Sequence, residues 1–224
     1  MNKETFAEAL ENRILLFDGA MGTEIQRYEP KSEDFPDGKD GFNDGLSTTK
    51  PEWIKEIHRK YLTAGADCIE TNTFGSNKIK LDEYGFGSQT VELNQKNAEL
   101  ARSVCDEFTD RQRFVVGSMG PTGYLPSSND TDLGQMPLSE IRDAFELQAE
   151  GLIKGTADAL LIETSQDILE VKLAVEASHI AMEKTGKKVT LISNVTLDQY
   201  GKMLLGTNVQ SAYTTVSEMG IDVF

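Results

Sequence analysis

Carboxylates, amides and hydroxyls recur at the ends of five short apolar runs, and their types indicate a ligand site. Asp18 follows the first run in Asp-Gly-Ala-Met-Gly, and Glu163 opens Glu-Thr-Ser after the fourth. None of the five run ends carries Arg, Lys or His. Two carboxylates can hold an ammonium group by charge-assisted hydrogen bonds, and the turn from Gly19 to Gly22 can bring free backbone N–H groups to an anion. The pattern predicts a site for an α-amino acid.

Each carboxylate also has a purely structural interpretation. Asp18 could cap the turn that follows it, and Glu163 could be paired within the core of the fold. Taken singly, either residue is explained as well by structure as by function. Because they stand at equivalent ends of separate runs, together they favour a functional interpretation.

The elements that would position these groups are alternating strands and helices. The predicted strands are residues 13–19, 67–74, 113–121, 158–165 and 188–198, and a sixth strand begins at Ile221. The predicted helices are residues 50–65, 91–108, 138–155, 167–184 and 208–220. Thr49 is the expected cap of the first of these helices, and Asp167 with Glu170 the expected capping pair of the fourth. Strands that alternate with helices are typical of a parallel sheet built from βα units.

Two joints in the chain nearly repeat each other, as TAGADCIETNTF and KGTADALLIETS. Both run from a helix end through a glycine-containing turn and Ala-Asp into an apolar strand that ends in Glu-Thr. Such repetition suits a barrel whose units each carry functional groups on the loop after the strand. The alternative, a doubly wound sheet, lacks a G-x-G-x-x-G turn to bind a dinucleotide. We therefore predict an α/β fold, a (β/α)8 TIM barrel truncated within the sixth strand.

Residues 28–49 show no periodicity and many turn formers. Loops of this length between barrel elements often serve as lids or binding loops. An irregular surface excursion explains the composition equally well.

Composition restricts the class of partner. The net charge is −15, from 37 acidic and 22 basic residues, and such a surface repels nucleic acid and anionic lipid. No apolar run approaches the ~20 residues of a membrane span, and the first residues do not resemble a signal peptide. Cys68 and Cys105 make no disulfide framework, so we expect a cytoplasmic protein.

Four motifs follow one another along the chain: LLFDGAMGTEIQRY, FNDGLSTTKPEWIKEIHRKYLTAGADCIETNTFGSN, VGSMGPTG and LIETSQDILEVKLAVEA. In type and order they resemble the homocysteine S-methyltransferase domain of cobalamin-dependent methionine synthases. The resemblance runs from about Ile14 to Phe224, and betaine–homocysteine methyltransferase is a more distant relative with the same barrel. The resemblance implies that residues 1–224 form one homocysteine S-methyltransferase barrel domain, incomplete at its C-terminal end.

The resemblance implies transfer of a methyl group from methylcobalamin to the zinc-activated thiol of homocysteine, giving methionine. A zinc-bound thiolate stays ionised at neutral pH, which makes it a good nucleophile. By the same resemblance, Asp18 and Glu163 hold the substrate's ammonium group. The backbone of Gly19, Ala20 and Met21 receives its carboxylate. Asn72 lines the same pocket, whereas Gly120 and Pro121 shape a neighbouring loop.

The zinc ligands of this family are a Cys just after the sixth strand and a later Cys-Cys pair, and neither motif occurs here. Cys68 opens the second predicted strand, away from the catalytic end, and Cys105 lies in mid-helix, where apolar packing explains it. His58 and His179 are interpreted as surface or groove residues on helices. We therefore expect no catalytic residue and no metal ligand within this chain, and no activity of the chain alone.

In that case a longer protein carries the rest of the barrel, together with cobalamin and folate modules. Two other functions stay open from the sequence. One is a non-catalytic module that binds an amino acid. The other is a half-barrel interaction module whose open edges pair with another chain, with Leu15, Phe17, Ile192 and Val223 lining the open seam.

Overall fold

The computed structural model describes residues 4–224 of the chain. In chain order, the first helices are α1 (Phe6–Asn12), α2 (Met21–Gln26), α3 (Leu46–Thr49) and α4 (Pro51–Ala64). They are followed by β1 (Cys68–Glu70), α5 (Lys78–Tyr84), α6 (Thr90–Cys105), β2 (Phe114–Met119), α7 (Leu138–Lys154) and β3 (Ala159–Ser165). The last elements are α8 (Ile168–Thr185), β4 (Thr190–Val195) and α9 (Val209–Ser217). No helix within residues 4–224 is long and apolar enough to cross a membrane.

Strands β1 to β4 form one parallel sheet in sequence order. Val116 of β2 stands opposite Ala159 of β3, and Leu160 stands opposite Leu191 of β4. Consecutive parallel strands joined by helices are the arrangement of a (β/α)8 barrel, so the predicted fold class is confirmed over these units. Long helices α6, α7 and α8 pack on the outer face of the sheet, with Ile141, Phe145 and Leu152 of α7 fully buried there.

The first predicted strand forms only in part. Residues 13–18, called here the leading segment, join the sheet through a single bridge from Phe17 to Cys68. Leu15 is buried, but Ile14 is 93% exposed and Leu16 57% exposed. The leading segment is therefore buried on one face only, because no helix within residues 4–224 covers its outer face.

The last predicted strand is likewise a short attachment to the sheet. Residues 222–224, the trailing segment, bridge β4 through Val223 and Ile192. Backbone bonds run from Ser193 N to Val223 O at 2.9 Å and from Asp222 N to Leu191 O at 2.9 Å. The sheet thus has the leading segment at one edge and the trailing segment at the other.

Helix α1 closes the inside of the curved sheet. Its Phe6 and Ala9 are buried against the inward side chains of the strands. Phe6 packs edge-on against Phe114 with ring centroids 5.4 Å apart. Leu15 and Ile192 are buried in the same cluster. The expectation of an open seam is therefore wrong for Leu15 and Ile192, which are buried in a cluster that includes residues of α1, whereas Phe17 and Val223 are only partly buried.

Three aspartates at the amino-terminal ends of strands tie each strand to its predecessor. Asp67 Oδ2 accepts a hydrogen bond from Leu16 N at 3.0 Å, and Asp158 Oδ2 accepts one from Val115 N at 2.7 Å. Asp222 Oδ2 accepts one from Leu191 N at 2.8 Å. We call these residues the strand clamps. Asp67 and Asp158 are the aspartates of the two near-repeated joints, so the sequence repeat has a structural cause.

Two of the predicted caps differ in detail. Thr49 belongs to α3, and the N-cap of α4 is Lys50, which makes no side-chain cap bond. Asp167 does cap α8, since its side chain accepts from Leu169 N at 2.8 Å. Glu170 does not bond back to that cap and accepts instead from the amide and hydroxyl of Thr122. The carboxylate thus holds the loop after β2 against α8.

Candidate functional site

A cavity of about 610 Å³ opens at the carboxyl ends of the strands. All the residues predicted to bind substrate line it: Asp18, Gly19, Ala20, Met21, Asn72 and Glu163. They come from the leading segment, the ends of β1 and β3, and the first turn of α2. A (β/α)8 fold places its working groups at this face, and the cavity brings together residues that are far apart in the chain.

Three carboxylates meet in this cavity. Asp18 Oδ2 accepts a hydrogen bond from the backbone N–H of Glu70 at 3.1 Å, and Asp18 Oδ1 is buried with no partner among residues 4–224. Burial, reinforced by the charge of Glu70, raises the pKa of Asp18 to about 8. Burial, with the charge of Glu163 next, raises the pKa of Glu70 to about 7. An ammonium group bound among these residues would supply the missing positive charge.

Glu70 is a member of this site that the sequence analysis quoted but did not assign. Its side chain lines the cavity at the end of β1, as that of Glu163 does near the end of β3. The near-repeat of the two joints was the available signal, because it places Glu-Thr at the end of both strands.

The backbone of Gly19 to Met21 forms the other end of the site. No hydrogen bond from the amides of Gly19, Ala20 or Met21 to another described residue is formed, and Ala20 gives α2 no side-chain cap bond. Tyr61 donates its hydroxyl to Ala20 O at 2.9 Å. A Cβ on Gly19 would lie 3.0 Å from the Tyr61 ring, so glycine lets this turn pack closely. The turn therefore presents free N–H donors beside the carboxylates.

Glu163 stands where β3 loses its regular register. The pairing with β4 shifts between Ile162 and Ser165, and Thr164 has a φ of 58°. This left-handed conformation is strained for a β-branched residue. Asn194 on β4 supports it by accepting from Thr164 N at 2.9 Å. Ser118 on β2 donates its hydroxyl to Glu163 Oε1 at 2.5 Å.

Asn72 connects the strand ends to the long loop. Its side-chain amide donates to Asn43 O at 2.8 Å and to Ser47 Oγ at 3.3 Å. Residues 41–44 line the cavity, so the loop forms part of its wall rather than an excursion away from it. Burial raises the pKa of Asp44 in this loop to about 7, although the Ser76 hydroxyl and the Gly75 amide oppose the shift.

Helix α5 adds residues that the sequence analysis did not predict. Lys80, Glu83 and Tyr84 line the cavity, and Lys80 Nζ lies 2.9 Å from Glu83 Oε1. The strand ends carry no cation, but a lysine does reach the rim of the site from this helix. No strand-end pattern indicates Lys80, because only the tertiary fold places α5 beside the cavity.

The cysteines and histidines lie elsewhere. Cys68 and Cys105 are buried and do not line the cavity, and burial raises the pKa of both thiols. His58 is fully buried on α4, neither ring nitrogen has a partner in the described part of the chain, and burial lowers its pKa to about 4. The interpretation of His58 as a surface or groove residue is therefore wrong. His179 contacts Met219 O at 3.0 Å.

These residues do not fit a thiolate-ligated zinc ion. Within residues 4–224, no group of three or more His, Cys, Asp or Glu side chains is arranged to hold a metal. A zinc site takes three or four protein ligands, and protonated thiols remote from the cavity supply none.

The comparisons with known proteins agree with this fold. The family described as homocysteine S-methyltransferase matches residues 15–224. The chain belongs to this family of methyltransferases. Methionine synthases of Mycobacterium tuberculosis and Mycobacterium leprae are each 41% identical to it over 218 residues. The match covers 96% of this chain and 18% of each of those proteins, so the chain spans less than a fifth of their length.

Among solved structures, the homocysteine methyltransferase MmuM of Escherichia coli has a similar fold. Its metallated form has a TM-score of 0.73 at 21% identity, over 94% of this chain and 73% of that one. Its oxidised form has a TM-score of 0.74 at 22% identity, over 93% and 71%.

Proposed function

We propose that residues 1–224 belong to one homocysteine S-methyltransferase barrel domain and form the homocysteine-binding part of a methionine synthase. One observation carries this proposal. A single cavity holds carboxylates with an unpartnered oxygen on one side and unpartnered backbone amides on the other. The first group suits an ammonium ion, and the second suits a carboxylate. An α-amino acid presents both.

Within this proposal, Asp18 and Glu163 hold the ammonium group of homocysteine. The amides of Gly19, Ala20 and Met21 receive its carboxylate. Asn72 keeps the loop of residues 41–44 against the cavity, through its bonds to Asn43 and Ser47. The cavity volume of about 610 Å³ leaves room for the thiol-bearing side chain and for a methyl donor to approach.

The cofactors are proposed from the resemblance to cobalamin-dependent methionine synthases. They are zinc, which would activate the thiol, and methylcobalamin, which would donate the methyl group. The described residues, 4–224, form no group arranged to hold zinc, so we expect the ligands to come from elsewhere and the chain to be inactive alone. The proposed partners are the remaining part of the barrel and the cobalamin and folate modules of a longer protein. The proposed location is the cytoplasm.

Calorimetric titration with L-homocysteine tests the binding site. Asp18→Asn and Glu163→Gln should each weaken binding about ten-fold, as expected for one charge-assisted hydrogen bond. Asp132→Asn, which changes an exposed aspartate on the loop after β2, is the matched control and should bind as the unaltered chain does. Unchanged affinity in the two site variants would show that Asp18 and Glu163 have a structural role and do not bind the ligand.

Metal analysis tests the cofactor part of the proposal. Protein purified without added zinc should contain far less than one zinc ion per chain. One tightly held zinc, lost on changing Cys68 or Cys105, would show that those thiols are ligands after all.

A further inference from the structure

Ser118 is the neighbour that holds Glu163 in place. Its hydroxyl donates to Glu163 Oε1 at 2.5 Å from the adjacent strand β2. We propose that Ser118 is a positioning residue that fixes the Glu163 carboxylate for the ligand's ammonium group. The inference rests on the proposed function and adds to it a residue that acts through Glu163 rather than through its own contact with the ligand.

Glu163 needs such support because its own strand does not fix its direction. The register of β3 against β4 breaks next to it, and Thr164 takes the left-handed conformation. A bulge of this kind re-aims a side chain and disrupts the ladder that would otherwise hold it. Glutamate also has three rotatable side-chain bonds, so an unsupported carboxylate would lose rotamer entropy on binding a ligand.

Ser118 is itself held on several sides. Its backbone N–H donates to Thr71 Oγ1 at 3.1 Å, and its carbonyl accepts from Thr73 Oγ1 at 2.8 Å. Gln148 Nε2 on α7 donates to the same carbonyl at 3.3 Å. Ser118 is 2% exposed, so its hydroxyl has little freedom to turn to water. The polar side chains beneath the cavity thus fix a donor that points at Glu163.

The division of the two carboxylate oxygens fits a binding role. Ser118 occupies Oε1, and the contact of Thr164 Oγ1 with Oε2 is a longer 3.3 Å. Glu163 as a whole is partly exposed. One oxygen is therefore an anchor, and the other stays available to an ammonium group.

The test measures homocysteine affinity in Ser118→Ala by calorimetry. Loss of a hydrogen bond to a charged group should weaken binding about ten-fold. Ser193→Ala is the matched control, because Ser193 is an equally buried strand serine whose hydroxyl has no partner among the described residues. It should bind within two-fold of the unaltered chain.

Two readouts separate positioning from a general structural effect. In a Glu163→Ala background, adding Ser118→Ala should cost no further affinity, because the two changes remove the same interaction. For 4-mercaptobutanoic acid, which lacks the ammonium group, Ser118→Ala should bind as tightly as the unaltered chain. An equal loss for both ligands, or additive losses in the double variant, would overturn the proposal.

Ser118→Cys covers the case in which Ser118→Ala does not fold, since it keeps a side chain of similar size with a much weaker donor. It should show the same selective loss, and affinity equal to the unaltered chain would contradict the proposal. If Glu163→Gln weakens binding and Ser118→Ala does not, only this inference fails. If the unaltered chain does not bind homocysteine, the proposed function fails with it.

Discussion

The carboxylate of Asp18 accepts a hydrogen bond from the backbone N–H of Glu70 at 3.1 Å, and the charge of the Glu70 side chain acts on it. The backbone bond favours an ionised Asp18, but burial and the neighbouring carboxylate outweigh it, and the pKa of Asp18 rises to about 8. Asp18 is therefore largely protonated at neutral pH when the site holds no ligand. A bound cation would reverse this balance.

Homocysteine affinity should rise with pH between pH 6 and pH 8. Asp18 must lose its proton to pair with an ammonium group, and its pKa of about 8 makes that loss costly at pH 6. Because the ionised fraction of a group with a pKa of about 8 rises from about 1% to about 50% over this range, we expect a rise of up to about fifty-fold and release of a proton on binding. Titrations in buffers of different ionisation enthalpy measure both. In Asp18→Asn the pH dependence should be much shallower, and an unaltered pH profile would contradict the assignment.

Asp18→Asn should stabilise the ligand-free protein at pH 8. A carboxyl group with a pKa raised from 3.8 to about 8 binds more protons in the folded state than in the unfolded state between those values. Its contribution to stability is complete below pH 4 and is lost as pH rises through 8. We expect the variant's Tm to exceed that of the unaltered chain by about 3 °C or more at pH 8, with little difference near pH 4. Asp132→Asn should change neither value.

Asp158→Ala should destabilise the fold more than other aspartate changes. The clamp carboxylate accepts from Val115 N at 2.7 Å and pairs with Arg102. Its loss leaves a buried donor of β2 without a partner, which costs about 1–3 kcal/mol. Urea unfolding measures this loss in the free energy of unfolding. Asp158→Asn keeps an acceptor and should lose less, and equal losses in the two variants would argue against the clamp.

The chain should self-associate through the leading segment. Ile14 and Leu16 expose apolar side chains on an edge of the sheet, and such edges recruit other chains. Light scattering after size exclusion should show a mass above 24.7 kDa that falls when Ile14 and Leu16 are both changed to Lys. Leu133→Lys, at an exposed leucine on the loop after β2, is the control. A monomer at all concentrations would show that this edge is inert.

Much of the fold could be predicted because the chain repeats one simple unit. The alternation of strands and helices predicted a helix over residues 138–155, and α7 spans Leu138–Lys154. The rule that barrel sites lie at strand ends brought Asp18 and Glu163 to one cavity. Both results follow from local patterns and from a topology that many sequences share.

The parts that could not be predicted depend on contacts between distant residues. The left-handed residue at the irregularity in β3 is Thr164, and no glycine there indicates such a conformation in the sequence. The hydrogen bond from Ser118 to Glu163 joins residues 45 positions apart. Lys80 reaches the cavity from a helix that the strand-end rule ignores. Helix α1 was not predicted because its apolar face is short. That face is buried only through the packing of Phe6 against strand residues far along the chain.

The strand clamps have a consequence for how the chain assembles. Their contacts span 51, 43 and 31 residues, and each joins a strand to the one made just before it. A chain emerging from the ribosome can therefore complete each pair without waiting for a distant partner, since short loops cost less entropy to close. Asp67, Asp158 and Asp222 lie at alternate strand interfaces, so the unit that is added at each stage is a pair of strands. Synthesis and folding can thus proceed in step, with each pair secured before the next is made.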